Sequence, residues 1–163
     1  MKPLLPAVLA SLLLATAGAS YTNAEYKFTA TTPKGWKQLS YPGTLVVFAG
    51  APSGGFAPNI NVTVEKLPAG ITLKQYEEAG RANMKKVITN FKFLGRRDVT
   101  LNGVPAVEQT VTGRQGQFDL YFTQTIAVKS NQAYVLTGTS LQNLRAGLIP
   151  VMSGFVKTFT FQR

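Results

Sequence analysis

The chain has 163 residues, no cysteine and no histidine, and 17 basic against 7 acidic residues give it a formal net charge of +10. These numbers exclude disulfides, thiolate metal sites and every catalytic arrangement that needs a cysteine nucleophile or a histidine base. The length fits one domain plus a short extra segment, and the positive charge favours anionic partners or surfaces.

The first residues have the pattern of a secretory signal peptide. Lys2 precedes an apolar run, Leu4 to Ala17, which is shorter than the ~20 apolar residues that a membrane span needs. Ala17-Gly18-Ala19 places small residues at both recognition positions of a cleavage site, and Thr22-Asn23-Ala24 is a second choice. We therefore expect export and cleavage after Ala19.

Cleavage at this point would divide the chain into a signal peptide, residues 1–19, and a single folded domain, residues 20–163. We expect the mature domain to be periplasmic or secreted, with no transmembrane span and, because the chain lacks cysteine, no lipid anchor. Without disulfides, its stability must come from a hydrophobic core alone.

Three strands are predicted before the first helix, at Glu25 to Ala30, Leu45 to Ala49 and Asn59 to Lys66. The first and third alternate apolar with polar residues, and the second is fully apolar. After them, Thr72 and Gln75 have the spacing of a capping box, and apolar residues then recur at helical spacing. The sequence therefore predicts an amphipathic helix after the third strand.

A meander of antiparallel strands is predicted after this helix. Turn residues at Asn102-Gly103, Gly113 to Gly116 and Ser130 to Gln132 separate four runs: Phe91 to Leu101, Val104 to Thr112, Gln117 to Lys129 and Ala133 to Thr139. Asn-Gly between alternating runs is typical of a type I′ hairpin turn, because both central residues need positive φ.

The third of these runs alternates with period two. Its apolar face has one polar exception, Gln124, among the residues Phe118, Leu120, Phe122, Ile126 and Val128. The other face is mostly polar, with Tyr121, Thr123 and Thr125 at its centre. This pattern predicts a sheet with one packed face and one wetter face.

A second helical segment is predicted from Leu141 onward, with a kink or a restart at Pro150, and Phe159 and Phe161 are expected in a final short strand. Together the elements predict an α+β fold. Its central antiparallel sheet has about six strands, with one helix after the third strand and one at the C-terminus.

The sequence contains no motif for catalysis. Its seven carboxylates are scattered along the chain, no serine has a histidine base, and no glycine-rich loop has phosphate-binding spacing. We therefore predict a protein without enzymatic activity, metal or cofactor. One alternative is a hydrolase that acts on an envelope polymer through two carboxylates, Glu108 and Asp119 or any other two acids that meet in a cleft.

A cluster of basic residues is interleaved with Phe91 and Phe93, and its members are Lys85, Lys86, Lys92, Arg96 and Arg97. One interpretation is a solvated helix end and strand edge. The other is a site for an anionic partner. Because export is expected, an acidic protein face, an anionic lipid headgroup or an envelope polymer is favoured over nucleic acid.

Several short motifs in this order resemble the PsbP-like superfamily, which includes PsbP, DcrB and LpqN-type exported proteins. The residues that carry the likeness are Tyr26-Lys27-Phe28, Pro33-Lys34-Gly35-Trp36, Asn59-Ile60-Asn61-Val62, Leu101-Asn102-Gly103-Val104-Pro105-Ala106, Tyr134-Val135-Leu136-Thr137-Gly138-Thr139 and Thr158-Phe159. The resemblance spans nearly the whole mature chain. It implies an α/β/α sandwich and a role as a non-catalytic accessory or binding protein, with no family active site to transfer.

We therefore predict an exported, non-catalytic accessory protein of the cell envelope that recognises a protein partner through its surface. A purely electrostatic binder of polyanions is a further alternative, which the dependence of binding on salt would distinguish. The sequence does not predict the identity of the partner or the oligomeric state.

Overall fold

The computed structural model describes residues 18–163, which form two antiparallel sheets and two helices. The predicted signal peptide lies outside the described residues, except for its last two, Gly18 and Ala19. No helix within residues 18–163 has the length and apolar character to cross a membrane.

The larger sheet has seven strands: β3 (Lys37–Leu39), β4 (Val46–Ala49), β5 (Asn59–Lys66), β6 (Thr89–Leu101), β7 (Val104–Gln115), β8 (Phe118–Lys129) and β9 (Gln132–Leu141). Their order across the sheet is β3-β4-β5-β9-β8-β7-β6, and every neighbouring pair is antiparallel. The smaller sheet has the order β1-β2-β10 and contains β1 (Ser20–Asn23), β2 (Phe28–Thr31) and β10 (Thr160–Phe161).

The two helices are α1 (Leu73–Val87) and α2 (Arg145–Thr158). Thr72 caps α1 through the predicted capping box with Gln75. A short 3-10 turn, Gln142–Leu144, precedes α2, which continues through Pro150 as one helix without the restart that was one of the two expectations.

The helices pack on opposite faces of the large sheet. Leu73 of α1 packs against one face, with Val107, Ile126 and Val135. Met152 of α2 belongs to the core on the other face, which the small sheet also covers. The predicted α+β fold, with an α/β/α arrangement around an antiparallel sheet, is confirmed.

The expectation of a wetter sheet face is wrong at the centre of β8. Tyr121, Thr123 and Thr125 point away from α1 and are all buried, because α2 lies on that side. The methyl group of threonine and the ring of tyrosine supply apolar surface, so these residues fit under a helix although their hydroxyl groups make the sequence look polar.

Two of the three predicted turns occur where expected. Asn102 and Gly103 both have positive φ, as do Ser130 and Asn131. Gly113, by contrast, lies inside β7 and not in a turn. A Cβ atom at Gly113 would lie 2.1 Å from Cγ2 of Ile88, so the glycine is required by the close approach of the segment after α1.

The central sheet has seven strands, where about six were expected. β1 and β3 were not predicted, and they place α1 after the fifth strand of the chain. Both strands are short, four and three residues, and contain no long apolar run. Their pairing with β2 and β4 is decided by tertiary structure.

Candidate interaction surface

The most exposed apolar side chains of α1 and β6 lie close to the junction between these two elements. Val87, Phe93 and Leu94 are 47%, 43% and 54% exposed. We call the surface formed by these residues and by Lys85 and Lys86 the α1–β6 surface. Large apolar residues rimmed by lysines are typical of a surface that binds another macromolecule.

The five predicted basic residues divide into two groups. Arg96 is paired with Glu77 and Asp98, and Arg97 donates two hydrogen bonds to Glu108. These hydrogen bonds and the charge of Glu108 raise the pKa of Arg97. Lys85, Lys86 and Lys92 form no salt bridge within residues 18–163, so their charges remain available to a partner.

The sheet register separates the two arginines. Arg96 lies opposite Gln109 and therefore on the side of α1, whereas Arg97 lies opposite Glu108, on the side of α2. Lys92 lies opposite Thr112 and shares the α2 side with Arg97. The structure therefore does not unite the five residues into one patch; the sequence cluster wraps around an edge strand.

A buried polar network lies beneath the α1–β6 surface. Glu77, 2% exposed, accepts hydrogen bonds from Arg81 at 2.9 Å and from Arg96 at 3.0 and 3.1 Å. The guanidinium of Arg81 also lies over the ring of Phe93, 4.6 Å from its centre. These contacts hold α1, β6 and the exposed phenylalanine in one arrangement.

The network continues across the sheet through the polar exception found in the sequence. Gln109 donates to Gln124 at 2.9 Å, and Gln124 donates to Thr137 at 3.1 Å. All three lie on the face that α1 covers, with Gln109 1% exposed. The break in the alternation at Gln124 was the signal for this network, but its partners could not be identified without the strand register.

Strand β6 forms one edge of the large sheet among the described residues. Its pairing with β7 is irregular between Thr89 and Lys92 and between Phe93 and Gly95, and then regular from Gly95 to Leu101. Bulges hinder the addition of another strand, so the regular half, which carries Arg96, Arg97 and Asp98, is the part of the edge that a partner strand could extend.

The carboxylate pair named for the hydrolase alternative does not meet. Glu108 accepts a hydrogen bond from Arg97. Asp119 lies opposite Arg114, which is six residues after Glu108 in β7. At about 3.3 Å per residue, this separation is roughly 20 Å. Within residues 18–163, no three acidic side chains gather in a way that could hold a metal ion.

Residues 29–158 match the family model of DcrB. No curated protein sequence matches the chain. The fold is similar to that of LpqN of Mycobacterium tuberculosis, a protein involved in cell envelope biogenesis, with a TM-score of 0.74 and 13% identity over 89% of this chain and 90% of that one.

Two further solved structures share the fold. Cyanobacterial PsbP from Synechocystis sp. PCC 6803 has a TM-score of 0.68 and 13% identity, covering 94% of this chain and 98% of that one. The Ran-binding protein Mog1p of Saccharomyces cerevisiae has a TM-score of 0.62 and 10% identity, covering 90% and 96%. At these identities the likeness concerns the fold alone.

Proposed function

Because the chain belongs to the DcrB family, within the PsbP-like superfamily that its sequence resembles, we propose that it is a non-catalytic accessory protein of the cell envelope that binds a protein partner. The roles of two structural neighbours support this proposal. LpqN is involved in cell envelope biogenesis, and Mog1p is a Ran-binding protein.

The observation that carries the proposal is the α1–β6 surface. Its apolar residues, Val87, Phe93 and Leu94, are each about half exposed, and the network around Glu77 holds α1 and β6 together. A fixed apolar patch can bind with a small loss of conformational entropy. The lysines beside it favour a partner with an acidic rim.

The proposal includes export with cleavage after Ala19. Strand β1 begins at Ser20, pairs with β2, and its Tyr21 hydroxyl donates to the carbonyl of Leu45 at 3.0 Å. Cleavage after Ala19 would leave this strand intact. Cleavage at the second-choice site, after Ala24, would remove it and its contacts.

The test is cross-linking and purification of the exported protein from the envelope fraction of its own cells. Leu94→Glu places a charge in the α1–β6 surface, and Ile149→Glu is the matched control, because Ile149 is 49% exposed but lies on α2. We expect the unmodified protein to recover one partner protein in stoichiometric amount. The Ile149→Glu variant should recover the same partner, and the Leu94→Glu variant should not. Equal recovery with both variants would contradict the assignment to this surface.

A second measurement separates a protein partner from a polyanion. A polyanion binder would lose affinity steeply between low and moderate salt and on substitution of Lys85 and Lys86, but would tolerate Leu94→Ser. A protein partner that packs on the apolar residues would lose affinity on Leu94→Ser. Its affinity would change little between low and moderate salt and on substitution of Lys85 and Lys86.

A further inference from the structure

A groove of about 620 Å³ lies between α2 and the segment that follows β2. Its lining is mostly apolar and includes Thr32, Pro33, Lys34, Val151, Gly154 and Phe155. Lys34 is the only charged residue among the described residues that line it, and no acid is present there. The volume lies within the range of small-molecule sites, roughly 300–1,000 Å³.

The walls of the groove are tied to each other at one end. The backbone N–H of Thr31 donates to the hydroxyl of Thr158 at 3.1 Å, and this hydroxyl donates to the carbonyl of Phe155 at 2.9 Å. Gly154 lines the groove without a side chain, and a Cβ atom at this position would meet nothing within 4 Å. The groove is thus built into the fold.

Thr32 supplies a hydroxyl group without a hydrogen-bond partner among the described residues at this groove. Thr32 is 1% exposed. Its backbone N–H donates to the carbonyl of Ala19 at 2.8 Å, and Gly18 also lines the groove. Of the two residues before the expected cleavage site, Ala19 therefore contacts Thr32 and Gly18 lies at the groove.

Cleavage after Ala19 would change this end of the groove. It would remove Gly18 and Ala19, and with them the acceptor of the Thr32 N–H. It would also place the new α-ammonium group on Ser20, which lies opposite Thr31 in the sheet. The N–H and hydroxyl of Thr32, the ammonium of Lys34 and the new terminus would then be hydrogen-bond donors with no carboxylate among the groove-lining residues.

We propose that this groove binds a single-chain amphiphile with an anionic head once the signal peptide is removed. The apolar chain packs on Pro33, Pro150 and Val151. The head accepts hydrogen bonds from Thr32, Lys34 and the terminus of Ser20. This inference rests on the export and cleavage proposed above. It is independent of the α1–β6 surface, because no residue of α1 or β6 lines the groove among the described residues.

The first test uses the exported protein as purified from its cells, with its N-terminus identified by mass spectrometry. Laurate, lauryl phosphate and lauryl alcohol are titrated by calorimetry. We expect laurate or lauryl phosphate to bind at least about tenfold more tightly than the alcohol, and the stronger of the two identifies the head as carboxylate or phosphate. Equal binding of the alcohol would overturn the anionic-head assignment, and an N-terminus other than Ser20 would overturn the role of cleavage.

The second test blocks the groove with a matched pair of variants on α2. Gly154→Leu places a side chain in the groove, whereas Gly147→Leu places one in open space outside it, since a Cβ at either glycine meets nothing within 4 Å. We expect Gly154→Leu to abolish laurate binding and Gly147→Leu to retain it. No binding to the unmodified protein, or equal binding to both variants, would refute the groove.

A third variant keeps this inference separate from the proposed function. Leu94→Glu, which is expected to lose the protein partner, should bind laurate as the unmodified protein does. Loss of laurate binding in Leu94→Glu would count against an independent groove.

Discussion

Glu77 of α1 and Arg96 of β6 form an ion pair in which the guanidinium Nε–H is shared by both carboxylate oxygens, at 3.0 and 3.1 Å. Glu77 is 2% exposed, and Arg81 donates to the same carboxylate. One buried acid therefore joins the helix to the edge strand. Two of the basic residues near the proposed binding surface hold its framework together, which leaves the lysines to act on a partner.

The first prediction concerns this acid. Glu77→Gln keeps the shape of the side chain but removes its charge, so Arg81 and Arg96 lose their shared ionic partner. We expect the free energy of unfolding to fall by about 1–3 kcal/mol, measured by urea denaturation. Glu78→Gln, at the adjacent exposed position, is the control and should change stability by less than about 0.5 kcal/mol. Equal effects of both changes would show that the buried pair is not stabilising.

The second prediction concerns the glutamine pair across β7 and β8. Gln124→Leu leaves Gln109 and Thr137 without their hydrogen-bond partner in a buried site, so we expect a loss of about 1–3 kcal/mol. Gln109→Leu should destabilise for the same reason. The double variant should lose less than the sum of the two, because neither amide then remains unpaired. Additive losses in urea unfolding would indicate that the two residues act separately.

The third prediction concerns the glycine inside β7. Gly113→Ala places a Cβ 2.1 Å from Cγ2 of Ile88 and 3.0 Å from the carbonyl oxygen of Thr89, so the junction between α1 and β6 must shift. We expect a loss of about 1–3 kcal/mol. Gly147→Ala on α2 meets nothing within 4 Å and should be neutral or slightly stabilising, since alanine favours helix. A thermal unfolding midpoint unchanged by Gly113→Ala would contradict the close approach.

The fourth prediction concerns alkaline pH. Burial raises the pKa of Tyr76, Tyr121 and Tyr134 above the ordinary value of 10.0, and for Tyr76 the hydrogen bond to Glu65 adds to the effect. Above this pH the unfolded chain loses tyrosine protons that the folded chain keeps. Stability is therefore retained below about pH 10 and falls as pH rises further, by up to about 1.4 kcal/mol per pH unit for each such residue.

Tyr76→Phe isolates one of these contributions. At neutral pH it loses the hydrogen bond to Glu65, 2.9 Å in the native protein. Between about pH 9 and 11 its stability should fall less steeply than that of the unmodified protein. Parallel urea midpoints over this range would mean that Tyr76 ionises equally in both states.

The local signals in the sequence were sufficient for most elements. The capping box at Thr72 began α1 where expected, and Asn102-Gly103 made the predicted hairpin, because these features depend on contacts between near neighbours. Gly113 was wrongly assigned to a turn, because the assignment used only its near neighbours in the sequence. Its partner, Ile88, is distant in sequence, so a search for local turn residues could not detect it.

The site shows the same division. The five basic residues were visible as a cluster, but only the antiparallel register placed Arg96 and Arg97 on opposite faces and gave each a carboxylate. The exposed apolar residues Val87, Phe93 and Leu94 were not recognised, because exposure is a property of what does not pack on a residue.

The sequence alone determined that this protein has no thiol or imidazole chemistry, that it is strongly basic, and that its chain forms an antiparallel meander with helices. These properties follow from composition and from interactions over a few residues. Only the tertiary structure decided that both faces of β8 are covered, that Glu77 joins α1 to β6, and that Thr32 lies in a groove beside α2. Each depends on contacts between segments that are far apart in the chain, and local sequence patterns do not predict such contacts.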